Sequence, residues 1–182
     1  MDLYQYKKNN YHHGASVVKR LLWMLLSALF FETFFPAPNR FKRILLLIFG
    51  AQIGRGIVVK PRVRIKQPWK LKVGSNVWLG ESVWIDNLGS VEIGSNVCIS
   101  QGAMLLTGNH NFKKRTFDLI VDSIVLKDGV WIGALSLVGP GVVCGENSFL
   151  VAFSGLFANM DENCVYQGNP AVFSRYRYKS DA

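Results

Sequence analysis

The chain has 182 residues, 49% of them hydrophobic and 18% charged, which is too much apolar surface for a disordered chain and enough for one folded domain. Three cysteines, Cys98, Cys144 and Cys164, are odd in number and lack paired metal-type spacing; this excludes a disulfide framework and a zinc knuckle and fits a reducing compartment. The formal net charge of +9 implies an anionic partner, and its placement decides which kind.

That placement is the N-terminal third. Up to Arg64, eleven Lys and Arg face only Asp2 and Glu32, and the remainder carries ten residues of each sign. The excess flanks two apolar runs, 21–35 and 44–49. A membrane-spanning helix needs about 20 apolar residues, and the first run reaches fifteen only by including Ser27, Glu32 and Thr33. It is expected to lie on an anionic membrane rather than cross it, and it lacks the clean small-residue cleavage site of a signal peptide. Leu21, Leu22, Leu25, Leu26, Leu29 and Phe30 recur at helical spacing, which equally suits burial of one helix face against the body of the protein. Trp23, Met24, Ala28 and Phe31 make the other side apolar too, so packing and membrane contact both stay open. Pro36 and Pro38 end this helix, and Arg40, Lys42 and Arg43 open a second, shorter one. Residues 4–14, with His12 and His13, read as a polar, solvated arm. The expected division is an N-terminal helical extension over 1–52, a repeat region over 53–165 and a C-terminal tail over 166–182.

From Ile53 the period changes. An apolar residue recurs at Ile53, Val59, Ile65, Val73, Leu79, Ile85, Ile93, Ile99 and Leu105, then at Leu126, Ile132, Val138, Cys144, Leu150 and Leu156. The early steps are 6, 6 and 8 residues, a unit of 20, and repetition at this scale marks a solenoid. Seven of the 17 glycines (54, 74, 80, 94, 133, 139 and 145) directly follow one of these positions, where they are expected to relieve the backbone as the chain turns. Four residues after the apolar position comes a small or β-branched side chain, as at Val63, Val77, Val83, Ala103, Ser136 and Ser148. The pattern predicts a prism of short parallel strands, three per turn, with the recurring aliphatic inside. An antiparallel β-sandwich would instead need hairpin signals every 8–12 residues or so and no fixed six-residue phase.

The segments VGSNVWLGESVWI, IGSNVCISQGAMLLTGNHNF, DGVWIGALSLVGPGVVCGENSFL and YQGNPAVFSRY resemble the hexapeptide-repeat O-acetyltransferases of the galactoside, maltose and nodulation type. The branch for colanic-acid and other exopolysaccharide biosynthesis is nearest, and the resemblance runs over residues 17–178. It implies an all-β fold, a left-handed parallel β-helix; the hand comes from the resemblance alone, since left-handed crossovers break the general rule. It also implies acetyl-coenzyme A as acetyl donor with no metal, a homotrimer with sites shared between subunits, and a sugar or lipid-linked oligosaccharide as acceptor; the cysteine usage and the basic, apolar N-terminal third add the expectation of a cytoplasmic location, peripheral at the membrane's inner face.

The chemistry is expected where the phase breaks. Between Leu105 and Leu126 the step is 21 residues, so about fifteen residues leave the prism as a loop over 110–124. His110 is the only histidine outside the N-terminal arm and has the side chain whose ordinary pKa suits proton transfer near neutrality. The resemblance makes the histidine of this TGNH stretch the general base; the competing reading is a loop histidine bonded to backbone. A carboxylate is expected to orient the ring, with Asp86, Asp118 and Asp122 as open alternatives. Asp86 lies one 20-residue unit below Leu106 and, with Asn87, is the expected acceptor-binding or ring-orienting pair. For the coenzyme the resemblance implies Trp131, Gly133, Ala134, Ala152 and Arg175, with Arg177 and Lys179 as further phosphate partners. Ala134 stands where relatives often have serine, and Phe157-Ala158 stands where many have Thr-Lys. Trp78, Trp84 and Trp131 are candidate subunit anchors.

Other functions fit less well. A carbonic-anhydrase-like prism would need three histidines at zinc, a thiol mechanism lacks a base beside any cysteine, and nucleic-acid binding has only charge in its favour. A noncatalytic β-helix scaffold or binding protein, or transfer to another acceptor such as an amino sugar, remain the alternatives.

Overall fold

The computed structural model describes residues 3–6, 11–34 and 37–178. Pro36 and Lys179, singled out above, lie outside them.

From Gln52 onward the chain winds into a parallel β-solenoid with three faces. The first face stacks Gln52–Ile53, Leu71–Val73, Val91–Ile93, Ile124–Leu126 and Val143–Cys144. The second stacks Val58–Val59, Trp78–Leu79, Cys98–Ile99, Trp131–Ile132, Phe149–Leu150 and Cys164–Gly168. Arg64–Ile65, Trp84–Asp86, Met104–Leu106, Leu137–Val138 and Gly155–Leu156 form the third. The register keeps the expected columns: Ile53 pairs with Val73, Leu79 with Ile99, and Ile85 with Leu105. All fifteen predicted inward positions are buried, from Ile53 at 7% exposed to zero at Leu79, Ile99 and Leu156. Below the phase break the rungs are 20 residues apart (Trp78 opposite Cys98) and above it 18 (Trp131 opposite Phe149), shortening to 16 at the last rung (Phe149 opposite Val165).

The second residue type of each hexad is buried as well, and where it is serine the hydroxyl finds backbone. Ser148 Oγ donates to the Gly145 carbonyl at 2.8 Å and Ser136 Oγ to that of Val151 at 2.9 Å, so neither polar group is left unpaired inside. The hexad glycines serve a different need from the one expected. Their φ angles are not in the left-handed region; instead a Cβ on Gly54 would sit 2.6 Å from the Gly74 backbone, and one on Gly133 would strike the Ala152 nitrogen. They let successive coils approach. The left-handed conformations fall at the corners instead; between the first and second faces they are taken by Gly56, Asn76, Asn96, Gly129, Asn147 and Asn163, a conformation asparagine tolerates better than most side chains. Their amides ladder up the corner, Asn76 to Asn96 at 3.2 Å and Asn147 to Asn163 at 3.3 Å.

The first coil has no rung beneath it, so its backbone groups would be orphaned. Two helices meet that need, α1 (Val17–Phe30) and α2 (Asn39–Ile48). The Trp23 indole N–H donates to the Ile65 carbonyl at 2.7 Å, Lys42 Nζ to Val59 at 3.0 Å, and the Arg43 guanidinium to Gly54 and Ile53. Asn39 Oδ1 accepts from the Val59 N–H. Lys42 is 1% exposed, and burial pushes its ammonium pKa down. The helix face that packs on the coil is Trp23, Ser27 and the following Phe31, with Phe31 edge-on to Trp23 at 5.3 Å. Leu21, Leu22, Leu25 and Leu29 of the leucine stripe are each at least half exposed, and only Leu26 and Phe30 pack partly against the core. The stripe with leucine spacing thus loses to the one carrying tryptophan, whose indole alone can both fill the end of the coil and bond its carbonyl.

The far end also departs from expectation. Cys164–Gly168 is the last parallel rung rather than the start of a tail, and Ala171–Tyr176 folds back antiparallel against it, covering the final edge.

Candidate active site

Gln67, Asn87 and Thr107 stack at the corner between the third face and the first. Asn87 is fully buried, its Oδ1 accepting from the Gln67 N–H at 2.9 Å and its Nδ2 donating to the Gln67 carbonyl at 2.6 Å. Its amide is therefore committed to holding two coils in register rather than presented to a ligand. Thr107, also fully buried, donates through Oγ1 to the Asp86 carbonyl at 3.0 Å and accepts from the Gly89 N–H at 2.8 Å. The Asp122 N–H donates to the Thr107 carbonyl at 3.0 Å.

Those bonds close the neck of the excursion, which is a hairpin and not an irregular loop. Gly108–His110 pairs antiparallel with Leu119–Val121, placing His110 opposite Leu119. Because both strands are short, the tip is held by local bonds: Asn111 N–H to the Asp118 carbonyl at 2.8 Å, Thr116 Oγ1 to Asp118 Oδ1 at 2.7 Å, and Lys114 Nζ to Asp118 Oδ2 at 2.9 Å. Lys113, Lys114 and Arg115 are exposed there, three cations in succession.

His110 is half-buried at the tip end of the strand pair. Its Nδ1 lies 2.9 Å from the Phe117 carbonyl oxygen. A carbonyl can only accept, so Nδ1 carries the proton and the neutral ring keeps its lone pair on Nε2. The Phe117 ring stacks on the imidazole at 4.2 Å with an interplanar angle of 2°, and Tyr6 from the N-terminal arm approaches at 5.7 Å. Phe117 has φ of 51°, the left-handed region that large side chains rarely enter, and in that conformation one residue supplies both the carbonyl and the stacking ring. The expected carboxylate is thereby replaced by a main-chain group. Asp118 is taken by Thr116 and Lys114, and Asp86 Oδ1 sits 2.6 Å from Lys66 Nζ. The bonding partner of the ring is seven residues along the chain and had no signal in the sequence. Neither had Tyr6. The arm that carries it was read as solvated, yet its later part is anchored: the Gln67 amide donates to Tyr11 Oη at 2.7 Å and the Trp69 indole to the His13 carbonyl at 2.7 Å.

The residues expected for the coenzyme gather at a different edge. Trp131, Gly133 and Ala134 lie at the corner between the second face and the third, and the exposed Ala152 stands one coil above, against Gly133. Trp131 is 39% exposed, stacked on Phe149 at 4.2 Å, with its indole N–H donating to Ser100 Oγ at 2.9 Å. Arg175 is exposed on the last strand. Arg177 is not available in the same way: its Nη1 donates to the Gly129 and Asn147 carbonyls at 2.8 and 2.9 Å, stapling the asparagine corner. A single chain thus places His110 and the coenzyme candidates at opposite edges of the third face.

A parallel solenoid with one hairpin that carries a half-buried histidine is the architecture of the hexapeptide-repeat acetyltransferases, and the chain belongs to that family: it is an acetyltransferase that uses acetyl-coenzyme A. Within the family it is 34% identical over 168 residues to WcaF of Escherichia coli, named for acetyl transfer in colanic acid biosynthesis, across 92% of each chain. It is 28% identical to the galactoside O-acetyltransferase of the same organism, over 74% of this chain and 68% of that one. Among solved structures, a hexapeptide-repeat acetyltransferase of Vibrio cholerae in complex with acetyl-coenzyme A superposes with a TM-score of 0.81 at 20% identity, covering 98% of this chain and all of the other. No protein-family profile matches the chain.

Proposed function

We propose that the protein transfers the acetyl group of acetyl-coenzyme A to a hydroxyl of a sugar in surface-polysaccharide assembly, with His110 as general base. The observation that carries the reading is the tautomer. With Nδ1–H engaged by Phe117, Nε2 accepts the proton of the acceptor hydroxyl as that oxygen attacks the thioester carbonyl carbon. The C–S bond then breaks and the leaving thiolate takes the proton back from Nε2. No covalent enzyme intermediate is needed, and holding both substrates in one site supplies much of the acceleration. The likeness to a colanic acid acetyltransferase and a galactoside O-acetyltransferase supports a sugar hydroxyl as acceptor. Asp86, at the same corner as the hairpin's neck, remains the acceptor-side candidate.

The two edges described above meet if the prism forms a trimer, because the edge of one subunit that carries His110 then faces the neighbour's edge with Trp131, Ala134 and Ala152. The helical cap gives the assembly a second property. Val18, Leu22, Met24, Leu25 and Leu29 of α1 and Ile44 and Ile48 of α2 are at least half exposed, beside Lys19 and Arg40. Among the described residues no helix is long and apolar enough to cross a membrane. A basic, apolar cap of this kind supports attachment to an anionic membrane surface, where lipid-linked acceptors are presented.

The test is His110→Ala. Turnover of acetyl-coenzyme A with a panel of nucleotide and lipid-linked sugars is expected to fall at least about a hundredfold, while coenzyme A binding measured by calorimetry persists. Turnover near the wild-type level would remove His110 from the mechanism.

A further inference from the structure

Helix α1 does not lie flat on the coil. Between it and the corner that follows the third face opens a cleft of about 360 Å³, walled by Leu21 and Met24 on one side and by Trp69 and Leu88 on the other. That volume falls within the range of small-molecule sites.

Two polar side chains line the cleft with atoms that have no partner among the described residues. Gln67 is 4% exposed; one end of its amide donates to Tyr11 Oη at 2.7 Å, and the other end, Oε1, is buried and unpaired. The Nε of Arg20 is buried and unpaired as well. Leaving such groups unpaired is unfavourable, so two of them in one apolar cleft point to something that completes them. The guanidinium requires an acceptor; of the other charged groups in the lining, Lys66 is ion-paired with Asp86 at 2.6 Å and Glu32 accepts from Ser27 Oγ at 2.9 Å. The amide end donates or accepts according to its flip, since Tyr11 Oη serves either. An unsatisfied guanidinium N–H and an amide on one side, with apolar walls on the other, define an amphiphile with an anionic head.

We propose that the cleft binds the phosphate head and first carbons of a single-chain membrane amphiphile. The head meets Arg20 and the Gln67 amide, and the chain leaves over Leu21 and Met24. These two side chains are 55% and 63% exposed and continue the apolar stripe of α1. Leu88, at the cleft's inner wall, packs against Gly108, two residues before His110. The bound head therefore lies beside the hairpin's neck. The proposal shares the membrane orientation offered above but requires neither acetyl transfer nor the role of His110.

The experiment titrates the full-length protein with dodecyl phosphate below its micellar concentration and follows tryptophan fluorescence, since Trp23 and Trp69 line the cleft. Saturable binding is expected, weakened at least about tenfold by Arg20→Gln and abolished by Met24→Glu, a change at an exposed position that leaves the core intact. Inorganic phosphate and dodecanol are expected to bind at least about tenfold more weakly than the combined ligand. Equal binding of dodecanol would make the cleft a merely apolar surface. Equal binding of phosphate would make it a simple anion site, and no saturable binding would leave it to water; each result overturns the proposal. The readout is independent of turnover, so loss of acetyl transfer in His110→Ala with unchanged dodecyl phosphate binding separates the two readings.

Discussion

At the scale of single residues, the most consequential arrangement is the one around His110, where one neighbour does two jobs. Phe117 offers its carbonyl to Nδ1 and its ring to the imidazole face, and it does so from a left-handed backbone conformation. A stacked aromatic pair is worth about 0.5–1.5 kcal/mol beyond its burial. Phe117→Asn keeps a residue that tolerates the left-handed conformation and removes the ring. In the proposed mechanism it is expected to lower kcat by roughly two- to tenfold while leaving the KM for acetyl-coenzyme A unchanged, as steady-state kinetics would show. This is a positioning effect, so a change confined to KM would assign Phe117 to substrate binding instead. Nothing in the TFDL stretch announces that role. By contrast, His110 is a candidate from the sequence alone, because a lone histidine at the start of the long interruption is visible without any coordinates.

At the scale of elements, the solenoid and its cap obey different rules. Each hexad meets its neighbours at a fixed offset, so the inward columns, the buried serines at 136 and 148, and the glycines against the next coil all follow from periodicity. The reason for the glycines was nevertheless misread, since a turn and a close approach leave the same mark on a sequence. Helices α1 and α2 are not periodic with anything beneath them. They are held by what the first coil lacks, and Lys42 is the clearest case: an ammonium buried at 1% exposure, directed to the Val59 carbonyl and lying 5.8 Å over the Phe31 ring. Lys42→Ala removes a buried aliphatic stem and orphans that carbonyl, and is expected to cost at least about 2 kcal/mol in urea denaturation. The same bonds make deletion of the whole cap an unclean probe of membrane attachment, because the first coil would lose Trp23, Lys42 and Arg43 together.

At the scale of the whole molecule, two of the exposed apolar patches bear on the proposed assembly and membrane contact. On the corner between the second and third faces, Leu135 and Phe153 are 52% and 75% exposed, on the same edge as the coenzyme candidates. The proposed trimer covers them. Phe153→Asp is expected to shift the mass measured by light scattering from trimer to monomer, with loss of turnover, because each site would lack its neighbour's edge. On the cap, the exposed stripe of α1 faces away from the coil. Leu25→Asp, at a position 57% exposed, is expected to abolish co-sedimentation with phosphatidylglycerol vesicles while the trimer and its thermal stability persist. Undiminished sedimentation would detach membrane binding from this helix.

By itself, the sequence determined the solenoid, its three inward columns and the place where it is interrupted. Those features repeat locally, and each coil is satisfied by the coil next to it. Only the tertiary structure decided which face of α1 packs, which group orients His110, that Asn87 and Arg177 bond backbone rather than ligand, and that the N-terminal arm returns to the histidine. These outcomes depend on which unpaired backbone group or open corner a distant segment reaches. A repeat period carries no information about that choice.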